Sequence, residues 1–138
     1  HALPAAIHSG WAKRMKARGY SLILTPFDPE VVVAKGGVGV MAPIDYRVTE
    51  MPARTSGLAK ARALGRVMRV VLRTGHQVAI TVYNVYGFPG GHQEKAKAGR
   101  TNALLEAVVQ DIVERGDTYV AIWGSSMRSW RTWIRLAP

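Results

Sequence analysis

Residues 65–73 and 77–86 are two apolar, β-prone runs separated only by Thr74, Gly75 and His76. Val67, Met68, Val70, Val71 and Leu72 dominate the first run; Val78, Ile80, Val82, Tyr83 and Val85 dominate the second. Branched and aromatic side chains suit a pleated, half-buried surface, so a short glycine-containing break between two such runs predicts a β-hairpin. A lone hairpin is marginal in water. The rest of the chain must therefore supply further strands and layers to cover it. The first strand alternates imperfectly, because Arg66 and Arg69 flank Val67 and Met68.

The covering elements can be read on either side. Residues 3–18 read as a helix, with Ile7, Trp11 and Met15 at spacing four, basic residues on the other faces and Gly19 as the stop. Residues 20–25 read as a strand ended by Pro26. Residues 36–42 are small, apolar and β-prone, and 44–51, which alternate weakly, are expected to pair with them as a hairpin. Residues 52–64 read as a basic connector rich in Ala, Arg and Gly. Residues 101–114 are the clearest helix. Leu104, Leu105, Val108, Val109, Ile112 and Val113 form its apolar stripe, Thr101 is the expected N-cap, and Gly116-Asp117 end it. Residues 118–123 read as a buried strand. This order predicts an α+β fold: an antiparallel β-sheet layer with helices on one face. A length of 138 residues suits one domain, with 1–124 as its body and 125–138 as a basic tail rich in Trp and Arg.

Charge narrows the partners. Nineteen Lys and Arg against nine Asp and Glu give a formal +10, which attracts a polyanion: nucleic acid, an anionic membrane surface or an acidic subunit. There is no cysteine, so disulfides, thiolate metal sites and cysteine nucleophiles are excluded. No apolar run approaches the roughly 20 residues of a membrane helix. The chain opens on His1, the start expected of a trimmed, processed or partial product.

Enzyme motifs are absent. Gly36-Gly37-Val38-Gly39 lacks the Gly-Lys-Ser/Thr of a phosphate loop and reads as close strand packing or a bulge. His1, His8, His76 and His92 show no metal-ligand spacing, and Ser125-Ser126 after Gly124 form no nucleophile elbow. Asp111, Glu114 and Asp117 lie near one another in sequence but are expected on a solvated helix face. Trp123, Trp130 and Trp133, interleaved with arginines, suit base stacking, a membrane surface, or packing against a partner or the domain's own core.

The strand ending in Asn84-Val85-Tyr86, followed by Gly87-Phe88-Pro89, resembles a strand end of the endonuclease/exonuclease/phosphatase superfamily. That superfamily includes apurinic endonucleases, deoxyribonuclease-like enzymes and the endonuclease domains of LINE-type retrotransposons. Three further segments are similar in order: residues 11–26, the glycine-rich strand at 36–41, and the helix at 102–111 followed by the strand at 119–124. The resemblance covers the central portion of such a domain and implies part of a four-layer α/β sandwich. Its parent activity would be Mg²⁺-dependent phosphodiester hydrolysis of nucleic acid.

By the same resemblance, Tyr86 is the catalytic-site tyrosine that helps position the scissile phosphate. Asn84 belongs to the motif, as a structural residue or a phosphate contact, and Arg100, Arg128 and Arg131 are candidate phosphate-binding cations. The departures are as telling. Ser125 and Met127 stand where the family carries Asp-x-Asn. The family's early Asn and Glu would precede His1, and its late Asp and Ser-Asp-His would lie beyond the tail. No residue here is identified as a cofactor ligand; Mg²⁺ is implied by the resemblance alone. Without carboxylates to hold the cation and a base to activate water, the chain is expected to be a degenerate, inactive member. Two other readings are a non-enzymatic accessory subunit of a larger assembly and a basic nucleic-acid-binding module whose affinity falls steeply with salt.

Overall fold

The computed structural model describes residues 5–25, 37–73, 75, 78–90, 93–116, 119–124 and 130–134, with side chains described between residues 9 and 124 of these segments. The elements are α1 (Ala5–Ala17), β1 (Tyr20–Leu24), β2 (Gly39–Pro43), β3 (Arg47–Glu50), α2 (Ser56–Ala63), β4 (Val67–Arg73), β5 (Ala79–Val85), α3 (Lys95–Arg115), β6 (Val120–Gly124) and β7 (Trp130–Ile134). The fold is α+β. A two-stranded antiparallel sheet, β1–β2, accompanies a five-stranded sheet of order β3-β4-β5-β6-β7.

The expected hairpin is the centre of the larger sheet: β4 and β5 pair antiparallel from Val67↔Val85 to Arg73↔Ala79. The sheet is mixed rather than wholly antiparallel. β5 and β6 run parallel, with Thr81 opposite Val120 and Val85 opposite Gly124. The reason is α3, which returns the chain to the starting end of β5 before β6 begins; parallel neighbours need such a crossover. Beyond β6, residues 130–134 of the expected tail add β7, which places Arg131 opposite Trp123.

Alternation divides the central strands into two faces. Val67 of β4, Tyr83 and Val85 of β5 and Val120 of β6 pack under Leu58 and Ala61 of α2 and Leu104, Val108 and Ile112 of α3. Met68 and Val70, on the opposite face, pack with Val38, Ile23 and Val40 of the β1–β2 layer and with Val48, Val82 and Tyr86. The seam is tight. A Cβ at Gly39 would lie 2.5 Å from Leu24 Cδ2 and 3.3 Å from the Ile23 carbonyl. The glycine-rich segment thus serves close strand packing.

Three expectations are corrected. Residues 44–51 do not pair with β2. Pro43 closes the β1–β2 ladder, Tyr46 N–H turns back to the Pro43 carbonyl, and the chain crosses to the other sheet. There Arg47 faces Arg73 and Glu50 faces Val70. Residues 52–64 are not a connector, since they contain α2, whose Leu58 N–H is capped by the Thr55 hydroxyl at 3.2 Å. Finally, α3 starts six residues before Thr101, with Glu94 at its N-cap position. Lys95-Ala96-Lys97-Ala98 are good helix formers and extend it. Its end is as expected: Gly116 takes a left-handed conformation, φ 64°, and donates to the Ile112 carbonyl.

The expected apolar stripe of α3 also splits. Leu104, Val108 and Ile112 are buried, whereas Leu105, Val109 and Val113 stand exposed as a ridge, Val113 at 75%. Among the described residues no helix is long and apolar enough to cross a membrane.

Candidate functional site

At the carboxyl end of β5 the chain leaves the sheet through Tyr86, Gly87 and Phe88 and reaches the start of α3. Tyr86 N–H donates to the Arg66 carbonyl at 2.7 Å, which aligns the exit with the start of β4. The Arg66 guanidinium lies over two rings, 5.0 Å from the centre of Tyr86 and 4.5 Å from that of Phe88. Arg100 lies 4.1 Å from the centre of the Phe88 ring. All three distances fall within cation–π range. One phenyl ring therefore organises two guanidiniums, one buried and one exposed.

The start of α3 adds to the positive field. Its first turn has no acidic residue and its N-cap Glu94 makes no side-chain cap bond. Instead the Glu94 carboxylate pairs with Lys97. A helix N-terminus carries a partial positive charge and ordinarily selects acids. Here it carries Lys95, Lys97 and Arg100. Thr101, which is not the cap, fastens this turn to the strand exit. Its hydroxyl accepts from Phe88 N–H at 3.0 Å and donates to the Lys97 carbonyl at 3.0 Å.

Tyr86 and Arg100, two of the residues singled out from sequence, are thus gathered around Arg66 and Phe88. Asn84 is engaged differently: its amide donates to the Gly39 carbonyl at 2.8 Å, tying the large sheet to β2. Arg131 sits on β7, and Arg128 lies outside the described residues. Sequence reasoning missed Arg66 and Phe88. The only signal was Arg66 at the head of an apolar strand, where a cation needs a partner once buried.

It also missed Asp111. Expected on a solvated face, Asp111 is fully buried. Its Oδ2 accepts from the Tyr83 hydroxyl at 2.6 Å and from Arg115 Nε at 2.8 Å, with Arg69 Nε at 3.7 Å. Its Oδ1 accepts from Arg54 N–H at 3.4 Å, and Arg69 Nε also donates to the Tyr83 oxygen at 3.1 Å. The signal was available: positions 104, 108, 111 and 115 lie on one helix face, so Asp111 follows the buried leucine and valine.

This network acts on Tyr83. Burial, and then the hydrogen bond it donates to Asp111, push its phenol well above the ordinary tyrosine value of 10.0, with Arg69 opposing. The folded state therefore holds the proton more tightly than the unfolded chain. The stabilisation is complete below about pH 10 and is lost as pH climbs beyond it, where the unfolded tyrosine ionises first. Urea midpoints of the wild type should fall on going from about pH 9 to 11, and Tyr83→Phe should fall less. Parallel declines in the two proteins would contradict this account.

The donors among the described residues do not suit the Mg²⁺ that the resemblance implies. Among the described residues no three His, Asp or Glu converge. Asp111, the best-placed carboxylate, already accepts from a phenol, a guanidinium and a backbone amide. No hydrolytic step follows from this donor set.

The fold and the site together define an α+β domain with a cationic, aromatic strand exit. No family model, curated protein or solved structure matches the chain.

Proposed function

We propose that this chain is a nucleic-acid-binding domain on a degenerate endonuclease/exonuclease/phosphatase-like scaffold, without hydrolytic activity of its own. One observation carries the reading. The first two turns of α3 bear Lys95, Lys97 and Arg100 and no acid beyond the N-cap Glu94, which pairs with Lys97, beside the Tyr86–Arg66–Phe88 stack. Cations at the positive end of a helix weaken that helix. An arrangement that costs stability is most economically explained by an anionic ligand, and a phosphate backbone fits the chain's formal +10.

The layering is what supports the choice of scaffold. The β1–β2 layer covers one face of the five-stranded sheet and α2 with α3 cover the other; α1, beside β1, would supply the fourth layer. In this reading Arg100 and Lys97 contact phosphates, Arg66 and Phe88 hold Arg100 in place, and Tyr86 keeps its parent's position near a phosphate.

Fluorescence anisotropy with a labelled 12-nucleotide single strand tests the reading, alongside plasmid nicking in Mg²⁺ and in EDTA. Arg100→Ala should weaken binding about tenfold, on the scale of ~1–2 kcal/mol for a lost charge-assisted contact. Lys60→Ala, an exposed cation on α2 of equal charge, should change it less than twofold. Mg²⁺-dependent nicking would overturn the inactive assignment. Failure of the folded chain to bind any strand would overturn the nucleic-acid reading. That result would favour an accessory subunit docked through the Leu105, Val109 and Val113 ridge.

A further inference from the structure

A second basic site lies at the opposite end of the sheet. α3 stops at Arg115 while β4 and β5 run on to Arg73 and back from Ala79, so the helix leaves the last part of that face uncovered. A cavity of about 440 Å³ opens there, floored by Val71, Thr81 and Ala79 and walled by Arg54, Arg69, Arg73 and Arg115, with Tyr119 in its lining. Its size is that of a small-molecule site rather than a packing defect. Among the described residues four arginines line it and no carboxylate does.

Two of the arginines, Arg69 and Arg115, are held from behind. Asp111, fully buried, takes Arg115 Nε at 2.8 Å, pairs with Arg69 at 3.7 Å and accepts the backbone N–H of Arg54 at 3.4 Å. Arg115 also donates to the Pro52 carbonyl. Arg73 reaches the same face by strand alternation, two residues on from Val71. One carboxylate thus holds the Arg115 guanidinium, lies beside that of Arg69 and fixes the backbone at Arg54. The acid on β3, Glu50, is bonded to Arg62 at 2.7 Å. The carbonyl end of α3 contributes only a partial negative charge, which Arg115 in its last turn already offsets.

Guanidiniums around a cavity of this size match a tetrahedral oxyanion better than any neutral ligand, because their planar forks pair with phosphate oxygens two at a time. The volume exceeds what a bare phosphate fills. Tyr119, 49% exposed, offers a ring for an attached base or sugar. We propose that this cavity is a binding site for a phosphate monoester carrying a nucleoside, presented either by a free mononucleotide or by the 5′-phosphorylated end of a strand. It is separate from the α3 site, which meets internal phosphates.

Calorimetric titration of the full chain tests this with adenosine 5′-monophosphate, adenosine, and a short oligonucleotide bearing a 5′-phosphate or a 5′-hydroxyl. Arg54 and Arg73 are exposed, so Arg54→Ala/Arg73→Ala should fold normally. If the free nucleotide is the source, the monophosphate binds at least tenfold tighter than adenosine. If the strand end is the source, the 5′-phosphate gives the same advantage over the 5′-hydroxyl. In either case the double variant should abolish the preference, and Lys60→Ala, an exposed cation on α2, should leave it intact. Absence of any phosphate preference, or a preference that survives in the double variant, would overturn the proposal. Loss of strand binding with the 5′-phosphate preference retained would instead count against the α3 reading alone.

Discussion

Asp111→Asn is expected to destabilise the protein by ~3–5 kcal/mol, the usual cost of removing one partner from a buried ionic network. Asparagine has nearly the same shape, so packing is preserved and only the charge and one acceptor are lost. The new amide would turn a donor toward a phenol and a guanidinium that donate to this position, with a second guanidinium 3.7 Å away. Arg69 and Arg115, whose side chains are 4% and 5% exposed, would be left buried with reduced compensation. The figure measures the cost of breaking the network, not its net contribution, because an apolar replacement of every member could fold as well. Urea unfolding should show the midpoint falling by more than about 1 M, given a slope of ~1–3 kcal/mol/M for a domain of this size. A loss below ~1 kcal/mol would mean that Asp111 is solvated after all.

Met68→Ala should cost nearly as much, ~2–5 kcal/mol, by leaving a cavity that its neighbours can only partly fill. Met68 is fully buried on the sheet face toward β1–β2, in a cluster with Val38, Val70, Ile23 and Val40. The prediction depends on the layering: were β1–β2 not packed there, Met68 would face water and truncation would cost almost nothing. Val113→Ala, on the exposed ridge of α3, is the matched comparison and should stay within ~0.5 kcal/mol. Equal effects of the two substitutions in thermal or urea melts would contradict the packing of the small sheet on the large one.

What the sequence made legible follows from the range of the forces involved. The β4–β5 hairpin could be read because its signal is local: two β-prone runs and a short break. The glycine stop of α3 was legible for the same reason. The start of α3 was not, because Thr101 looks like a cap, and only its bond to Phe88 N–H shows that the hydroxyl serves a tertiary contact. α2 buries only Leu58 and Ala61, too few for a stripe, and its Thr55 cap gave the only cue. The pairing of β3 with β4 rather than β2 is a choice between sheets, which no alternation within residues 44–51 encodes.

The candidate site divides along the same line. Tyr86 and Arg100 stood out through resemblance and charge. The Arg66–Phe88 stack joins positions 22 residues apart in sequence, and nothing in either segment announces the other. Asp111 was legible in principle, since it shares a helix face with Leu104 and Val108. A carboxylate on such a face predicts buried cations elsewhere, and Arg69, in the middle of an apolar strand, was the matching irregularity.

The central claim is that a phosphate backbone occupies the cationic end of α3. Its most direct test is the salt dependence of single-strand binding for the wild type and Arg100→Ala. The logarithm of affinity should fall linearly with the logarithm of salt concentration, and the variant's slope should be shallower by ~0.7, the counterion release of one single-strand phosphate contact. A wild-type affinity that ignores salt, or an Arg100→Ala slope identical to wild type, would contradict the claim.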